Sequence, residues 1–163
     1  MLMHELLASM PQQGRVEWLG LRPAKRAPLD SVAHVEALAN KGLAGDHRSQ
    51  REGGKRQVTL IQAEHLPMLA ALTGHERIPP EWLRRNIVVS AINLFALRDR
   101  RFAIGEVILE GTGTCPPCSR MEKTLGPGGF NAMRGHGGIN ARVVCSGEIR
   151  LADAVRLLGE ADI

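Results

Sequence analysis

Apolar and polar residues alternate over short stretches along most of this chain, and only one stretch carries a clear helical period. Between residues 15 and 21, Val16, Trp18 and Gly20 alternate with outward positions, the period of a half-buried strand. Residues 56–61, containing Gln57-Val58-Thr59-Leu60, predict a second strand, and residues 86–89 a short buried one. Longer strands are predicted over 102–110 and 139–145, and a further one over 149–157 after the Ser146-Gly147 turn. Residues 62–72 form the clearest helix, closed by Thr73-Gly74. Pro67 weakens its middle by removing an internal hydrogen bond, unless the proline starts the regular part. Residues 31–39 fit a helix or a strand. Residues 1–10 read as a loose helical or disordered start ended by Pro11, and residues 42–55 as a glycine-punctuated polar loop, expected to be mobile.

Two segments share a pattern that bears on the architecture. Phe102-Ala103-Ile104-Gly105-Glu106-Val107-Ile108-Leu109 and the 149–157 segment both run apolar-x-apolar, then small-acidic, then return to apolar residues. Strand–turn–strand corners of this kind recur in small barrels, where strands bend sharply to close the sheet. Strand and helix do not alternate regularly, which argues against a doubly wound sheet. The expected fold is therefore mainly β, a β-barrel with a few short helices in one domain over residues 1–163.

Composition changes this picture in two ways. A chain of 163 residues buries roughly 70% of its unfolded surface. With no Tyr and only 3% aromatic residues, its core must be aliphatic. No apolar run approaches the ~20 residues that span a bilayer, so no membrane partner is expected. Three cysteines and no signal peptide point to a reducing cytoplasm.

The net charge is +4, and lysine is confined to Lys25, Lys41, Lys55 and Lys123, so the basic character is mostly arginine. Guanidinium groups suit phosphate or carboxylate better than ammonium groups do. Along the sequence the arginines are interleaved with Asp and Glu and lack an aromatic platform, which favours a small phosphorylated ligand over nucleic acid. Arg98-Asp99-Arg100-Arg101 reads as a solvated turn.

The candidate chemistry concentrates in Cys115-Pro116-Pro117-Cys118-Ser119-Arg120-Met121. Four readings of the thiol pair stand open: a zinc site completed by Cys145 and His136, a redox dithiol, a buried structural pair, or one functional thiol in a ligand pocket. In the last reading Cys118 is favoured. Pro117 would preset a helix's first turn, and the positive end of a helix dipole favours thiolate. Cys145, closing an apolar strand, is expected in the core. Arg84-Arg85-Asn86 offers fixed donors at a strand edge for a phosphate or amide, or is a solvated loop. Arg134 and His136, set among glycines, offer an anion nest or a flexible connection, and the 42–47 run containing Gly45, Asp46 and His47 invites the same two readings.

Taken in order, these segments resemble the MOSC domain, named for the C-terminal domain of molybdenum cofactor sulfurases. The resemblance rests on Gly42-Leu43-Ala44-Gly45-Asp46, Arg56-Gln57-Val58-Thr59-Leu60-Ile61 and Arg84-Arg85-Asn86-Ile87-Val88-Val89. Phe102-Ala103-Ile104-Gly105-Glu106, Pro117-Cys118-Ser119-Arg120-Met121 and the closing segment extend it over roughly residues 32–158. It implies a β-barrel-like fold and a pocket for the molybdenum cofactor, a molybdopterin. Cys118 falls at the position of the metal-coordinating thiol, and Arg84 and Asn86 at the pterin's phosphate side. Arg134, His136, Gly45 and Asp46 complete the expected cofactor-binding set. Some relatives reduce N-hydroxylated compounds with electrons from a separate donor protein; others are proposed sulfur carriers, which need a sulfur donor. The chain matches no additional N-terminal barrel, pyridoxal-phosphate desulfurase, flavin or iron–sulfur domain.

Overall fold

The protein, a computed structural model describing residues 1–159, opens with a short helix, α1 (Met3–Ala8). Strands β1 (Gly14–Leu21), β2 (Asp30–Ser31), β3 (His34–Leu38), β4 (Gly42–Leu43) and β5 (Val58–Gln62) follow. Helix α2 (His65–Thr73) leads to β6 (Ile87–Ser90), β7 (Arg101–Ile104) and β8 (Val107–Thr114). Helices α3 (Ser119–Leu125) and α4 (Gly129–Met133) precede β9 (Ile139–Cys145), β10 (Gly147–Arg150) and β11 (Ala154–Leu157).

Seven strands run β11-β7-β8-β9-β5-β6-β1, and β1 pairs back onto β11, which closes the barrel. Closure removes the free edges that an open sheet would expose. Only β5 and β6 are parallel, and α2 lies on the connection between them. A small sheet, β10-β3-β4, stands beside the barrel.

The interior follows from alternation. Val16, Leu19, Val58, Leu60, Ile87, Val89, Phe102, Ile104, Leu109 and Val143 point inward and are essentially buried. Each such aliphatic side chain contributes about 1.5–3 kcal/mol on burial. Strands β5 and β6 are buried on both faces. Ile61 and Val88 point outward into a second apolar layer with Leu69, Leu83, Met121, Leu125 and Met133, over which α2, α3 and α4 lie.

Several expectations shift in detail. The helix begins at His65 because Gln62 still belongs to β5, so Pro67 sits in the first turn, where the N–H groups are free anyway. Gly74 ends it in the left-handed conformation, φ 73°. The 102–110 segment is a hairpin, β7 to β8, turning at Gly105 (φ 57°), whereas β10 and β11 part after Ala152 and join different sheets. A bulge between Val16 and Trp18 shifts the phase of β1, so Leu19 rather than Trp18 enters the barrel and Trp18 packs on the outer layer. Residues 42–55 hold β4 and a 3-10 turn (His47–Gln50) instead of forming a featureless loop. Its buried Arg48 donates to the carbonyls of Arg56, Arg51 and Gly53. Cys145 is exposed, because the strand ends there and its side chain falls outside the core.

Candidate functional site

β8 leaves the barrel at Thr114 and the chain crosses to α3 through Cys115-Pro116-Pro117-Cys118. The two thiols end up in opposite environments. Cys115 is 1% exposed, and its Sγ accepts a hydrogen bond from the Arg56 guanidinium at 3.3 Å. Cys118 is exposed and forms the N-cap of α3 in extended geometry, with its carbonyl accepting from Met121 N at 2.9 Å. Pro117 therefore precedes the cap and stands outside the helix's first turn.

One buried cation fixes this crossing. Arg85 is 4% exposed and faces no carboxylate. Its guanidinium donates to the carbonyls of Gly137 (2.9 Å), Leu83 (3.0 Å), Pro116 (3.2 Å) and Cys115 (3.3 Å). The approach needs glycine on the other side, since a Cβ on Gly137 would stand 2.1 Å from the Cys115 carbonyl oxygen.

Cys118 shares a cavity of ≈ 270 Å³ with Arg22, His47, Arg56, Arg84 and Arg120, and Lys25 and Arg85 also border it. An adjoining recess reuses Arg22, His47 and Arg56 and adds Arg51 and Lys55. Among the described residues no carboxylate lines either one. The nearest acid, Asp46, lies 2% exposed beneath them and is fully engaged. It accepts from Arg22 N (3.1 Å), Arg22 Nε (3.2 Å), Arg48 N (3.0 Å) and Asn86 Nδ2 (2.8 Å). Burial pulls the Asp46 pKa upward, but the Arg22 charge and the backbone N–H donors outweigh it and leave the carboxyl below its ordinary range. Burial and then the Arg22 charge hold His47 below the usual imidazole value. Arg84 is lowered by burial and next by the like charge of Arg120, the mark of crowded cations facing one space.

Of the sequence-derived candidates, Cys118 and Arg84 meet in this cavity. Arg84 follows a 3-10 turn (Pro80–Leu83) in a left-handed conformation, φ 61°, that favours glycine. It donates to the carbonyls of Ala27 (2.8 Å) and Lys25 (3.4 Å), and a guanidinium with five donors keeps capacity for a ligand. Asn86 is fully buried. Its Nδ2 also donates to Gly20 O, and its Oδ1 accepts from Thr59 N and Oγ1, so it braces Asp46 and β5 from below the cavity floor. Gly45 (φ 88°) shapes the turn that delivers Asp46. Arg134 and His136 do not join the group; they line a separate cavity across the Cys115–Pro117 strap.

Arg22, Arg56 and Arg120 are not singled out by sequence as site residues, while His47 and Arg85 stand there only inside the 42–47 and Arg84-Arg85-Asn86 runs. Arg56, Arg85 and Arg120 lie inside the segments that carry the family resemblance, and that was the available signal. Interleaved along the chain, the arginines converge only through barrel closure. Among the described residues no three His, Cys, Asp or Glu side chains gather as a metal-binding group, so the zinc reading lacks a ligand set. No helix among them is long and apolar enough to cross a membrane.

Comparison with known proteins agrees with this architecture. A family model described as the MOSC domain matches residues 41–156. The chain is similar to the crystal structure of the YuaD protein from Bacillus subtilis, with TM-score 0.76 and 20% identity, over 90% of this chain and 96% of that one. It is also similar to YiiM from Geobacillus stearothermophilus, with TM-score 0.73 and 14% identity, covering 90% and 75% of the two chains. For YiiM from Escherichia coli the TM-score is 0.69 and the identity 16%, covering 90% and 70%. No curated protein matches the chain.

Proposed function

The chain belongs to the MOSC domain family, and from that premise we propose that the basic cavity holds a molybdenum cofactor of the molybdopterin type, with Cys118 as its thiolate ligand. The observation that carries this reading is the meeting of one exposed thiol with Arg84, Arg120, Arg56 and Arg22 in a recess without a carboxylate. The residues fit the group: a soft sulfur donor suits molybdenum, and guanidinium groups suit a phosphate monoester. Arg84 and Arg120 would take the anionic end. Arg22, anchored through Asp46 and Asn86, would present a pre-set edge, and His47 a further donor. When bound, such a cofactor supplies a two-electron redox centre.

In the enzymatic reading the protein is a reductase of N-hydroxylated compounds that draws electrons from a separate donor protein. The exposure of Cys118 equally supports a second reading, a persulfide carrier that accepts sulfur from a donor protein and hands it on. Molybdenum content, thiol-bound sulfur and N-reduction with a supplied electron donor separate them, measured on protein made in cells that synthesise the cofactor. Molybdenum at near one atom per chain, lost in Cys118→Ser, supports the cofactor reading. Sulfane sulfur on Cys118 without molybdenum supports the carrier. Neither, in protein that binds no phosphate-bearing pterin, overturns both.

A further inference from the structure

A cavity of ≈ 360 Å³ opens across the strap from Cys118. Gln62, His65, the Cys115–Pro117 segment and the glycine run before Ile139 form its walls, with Phe95, Phe130 and Arg134 also on its lining. Its volume lies in the range of small-molecule sites.

The distribution of aromatic side chains singles it out. The chain has three phenylalanines. Phe102 is sealed inside the barrel, while Phe95 and Phe130 are 56% and 39% exposed and both border this one cavity. An exposed phenylalanine forgoes much of the stabilisation its ring gains on burial, and two at one mouth offer stacking faces to a flat ligand. The Phe95 ring and the Phe130 backbone are both anchored. The Arg98 guanidinium sits 3.6 Å from the Phe95 ring centroid, and the Glu122 carboxylate accepts from Phe130 N at 3.0 Å.

The polar groups specify the ligand further. His65 and His136 meet edge to face with ring centroids 5.2 Å apart. Burial, followed by the charge of His136, lowers the His65 pKa and favours its neutral form. His65 Nδ1 is closed off without a hydrogen-bond partner among the described residues. Arg134, whose guanidinium donates to Asn131 Oδ1 at 3.4 Å, brings a cation, and among the described residues no carboxylate lines the cavity to neutralise it.

We propose that this cavity binds a planar aromatic or heteroaromatic monoanion of one or two rings, stacked against Phe95, Phe130 and the histidine pair with its anionic group on Arg134. The site is distinct from the basic cavity and does not require a cofactor there.

The test uses the whole chain, isotope-labelled, titrated with quinoline-3-carboxylate and followed by backbone and imidazole NMR signals. Saturable shifts at His65, Phe95, Phe130 and residues 134–138 are expected. Cyclohexanecarboxylate, with the charge but no flat ring, and quinoline, with the ring but no charge, should each bind about tenfold more weakly. Phe130→Ala and Arg134→Gln should each weaken the carboxylate by about tenfold, and Phe95→Ala repeats the stacking test should Phe130→Ala disturb α4. Three results would overturn the proposal. These are no saturable shift up to about 10 mM, where even modest complementarity registers, equal binding of the three probes, or shifts confined to Arg84, Cys118 and Arg120.

Discussion

The strap from Cys115 to Cys118 divides two cavities of similar size and opposite character. On one side stand an exposed thiol and six cationic side chains, with the only nearby carboxylate buried beneath them. On the other lie two phenylalanines, two histidines and a single arginine. Both are lined partly by arginine, so the presence of a guanidinium alone does not separate them. What separates them is how each guanidinium is used. Arg85 and Arg48 are saturated by backbone carbonyls and act as internal clips. Arg84 is only partly satisfied, and Arg22 is held by Asp46 with its guanidinium still bordering the recess. An arginine saturated by carbonyls builds the wall, and one with donors left over faces the ligand.

The sharpest break between the two sides should come from the thiols. Cys118→Ser is expected to abolish molybdenum retention or persulfide formation, because a neutral hydroxyl is a poor ligand for a soft centre and cannot carry sulfur. Cys115→Ser should keep most of that function, and Cys145→Ser nearly all of it, since the exposed Cys145 touches neither cavity. Bound metal and thiol-bound sulfur on all three variants check the order; a dead Cys115→Ser with an intact Cys118→Ser would reverse the assignment.

Arg85 should matter to both sides at once. Truncation to Ala strands three buried carbonyls and the part-buried one of Pro116 and releases the strap from the 137–138 loop, for an expected loss of about 3–5 kcal/mol. Denaturant unfolding measures this. If Arg85→Ala unfolds within about 1 kcal/mol of the parent, the clip is incidental.

Much of this frame was legible in the alternation of short strands. β1, β5, β6 and β9 fall where the period-two pattern puts them, and Gly105-Glu106 and Ala152-Asp153 mark two real changes of direction. Alternation failed where the backbone slips: the bulge in β1 reverses the phase, so Trp18 and Leu19 exchange faces. It failed again at α4, a single turn whose buried apolar anchor, Met133, is hidden among helix-breaking glycines. The site was legible only at its centre. Cys118 and Arg84 stood out because of their local company, and Arg120 lies two residues from Cys118, whereas Arg22 and Arg56 lie on separate segments that only the closed barrel brings to them. Asn86 illustrates the limit of reading donors from a motif. Its amide looks like a ligand grip in sequence, yet its position before β6 turns it under the floor to brace Asp46 and Thr59.

Arg84 allows the two cavities to be separated without disturbing the fold. Its left-handed backbone is a conformation that glycine adopts freely, so Arg84→Gly should keep the parent stability, within about 1 kcal/mol, while removing the cation. A charge-assisted hydrogen bond contributes about 1.5–3 kcal/mol, so affinity for a phosphate-bearing pterin should fall tenfold to a hundredfold, roughly. Arg134→Gln should leave that affinity unchanged. Calorimetric titration of both variants tests the pair, and equal losses would merge the two cavities into one functional unit.

The smallest expected effect is a difference in acid sensitivity. Asp46 holds the Arg22–Asn86 edge of the basic cavity, and the Arg22 charge and backbone donors, outweighing burial, keep its carboxyl below the ordinary carboxylate range in the folded protein. A group depressed on folding stabilises the native state fully above its unfolded pKa, and that contribution is lost as pH falls through the folded value. From neutral pH to about pH 5 the Asp46 network should therefore hold; below about pH 4 it should weaken, loosening Arg22, Arg48 and Asn86. Amide signals of residues 22, 46 and 48 should then follow an acid transition in the parent that is missing from Asp46→Asn. Asp46→Asn keeps the shape but removes the charge, so it should lower stability at neutral pH by about 1–3 kcal/mol and flatten the acid limb of the melting temperature. If the parent and Asp46→Asn lose stability in parallel as the pH is lowered, the Asp46 carboxylate is not what sets the basic cavity apart in acid.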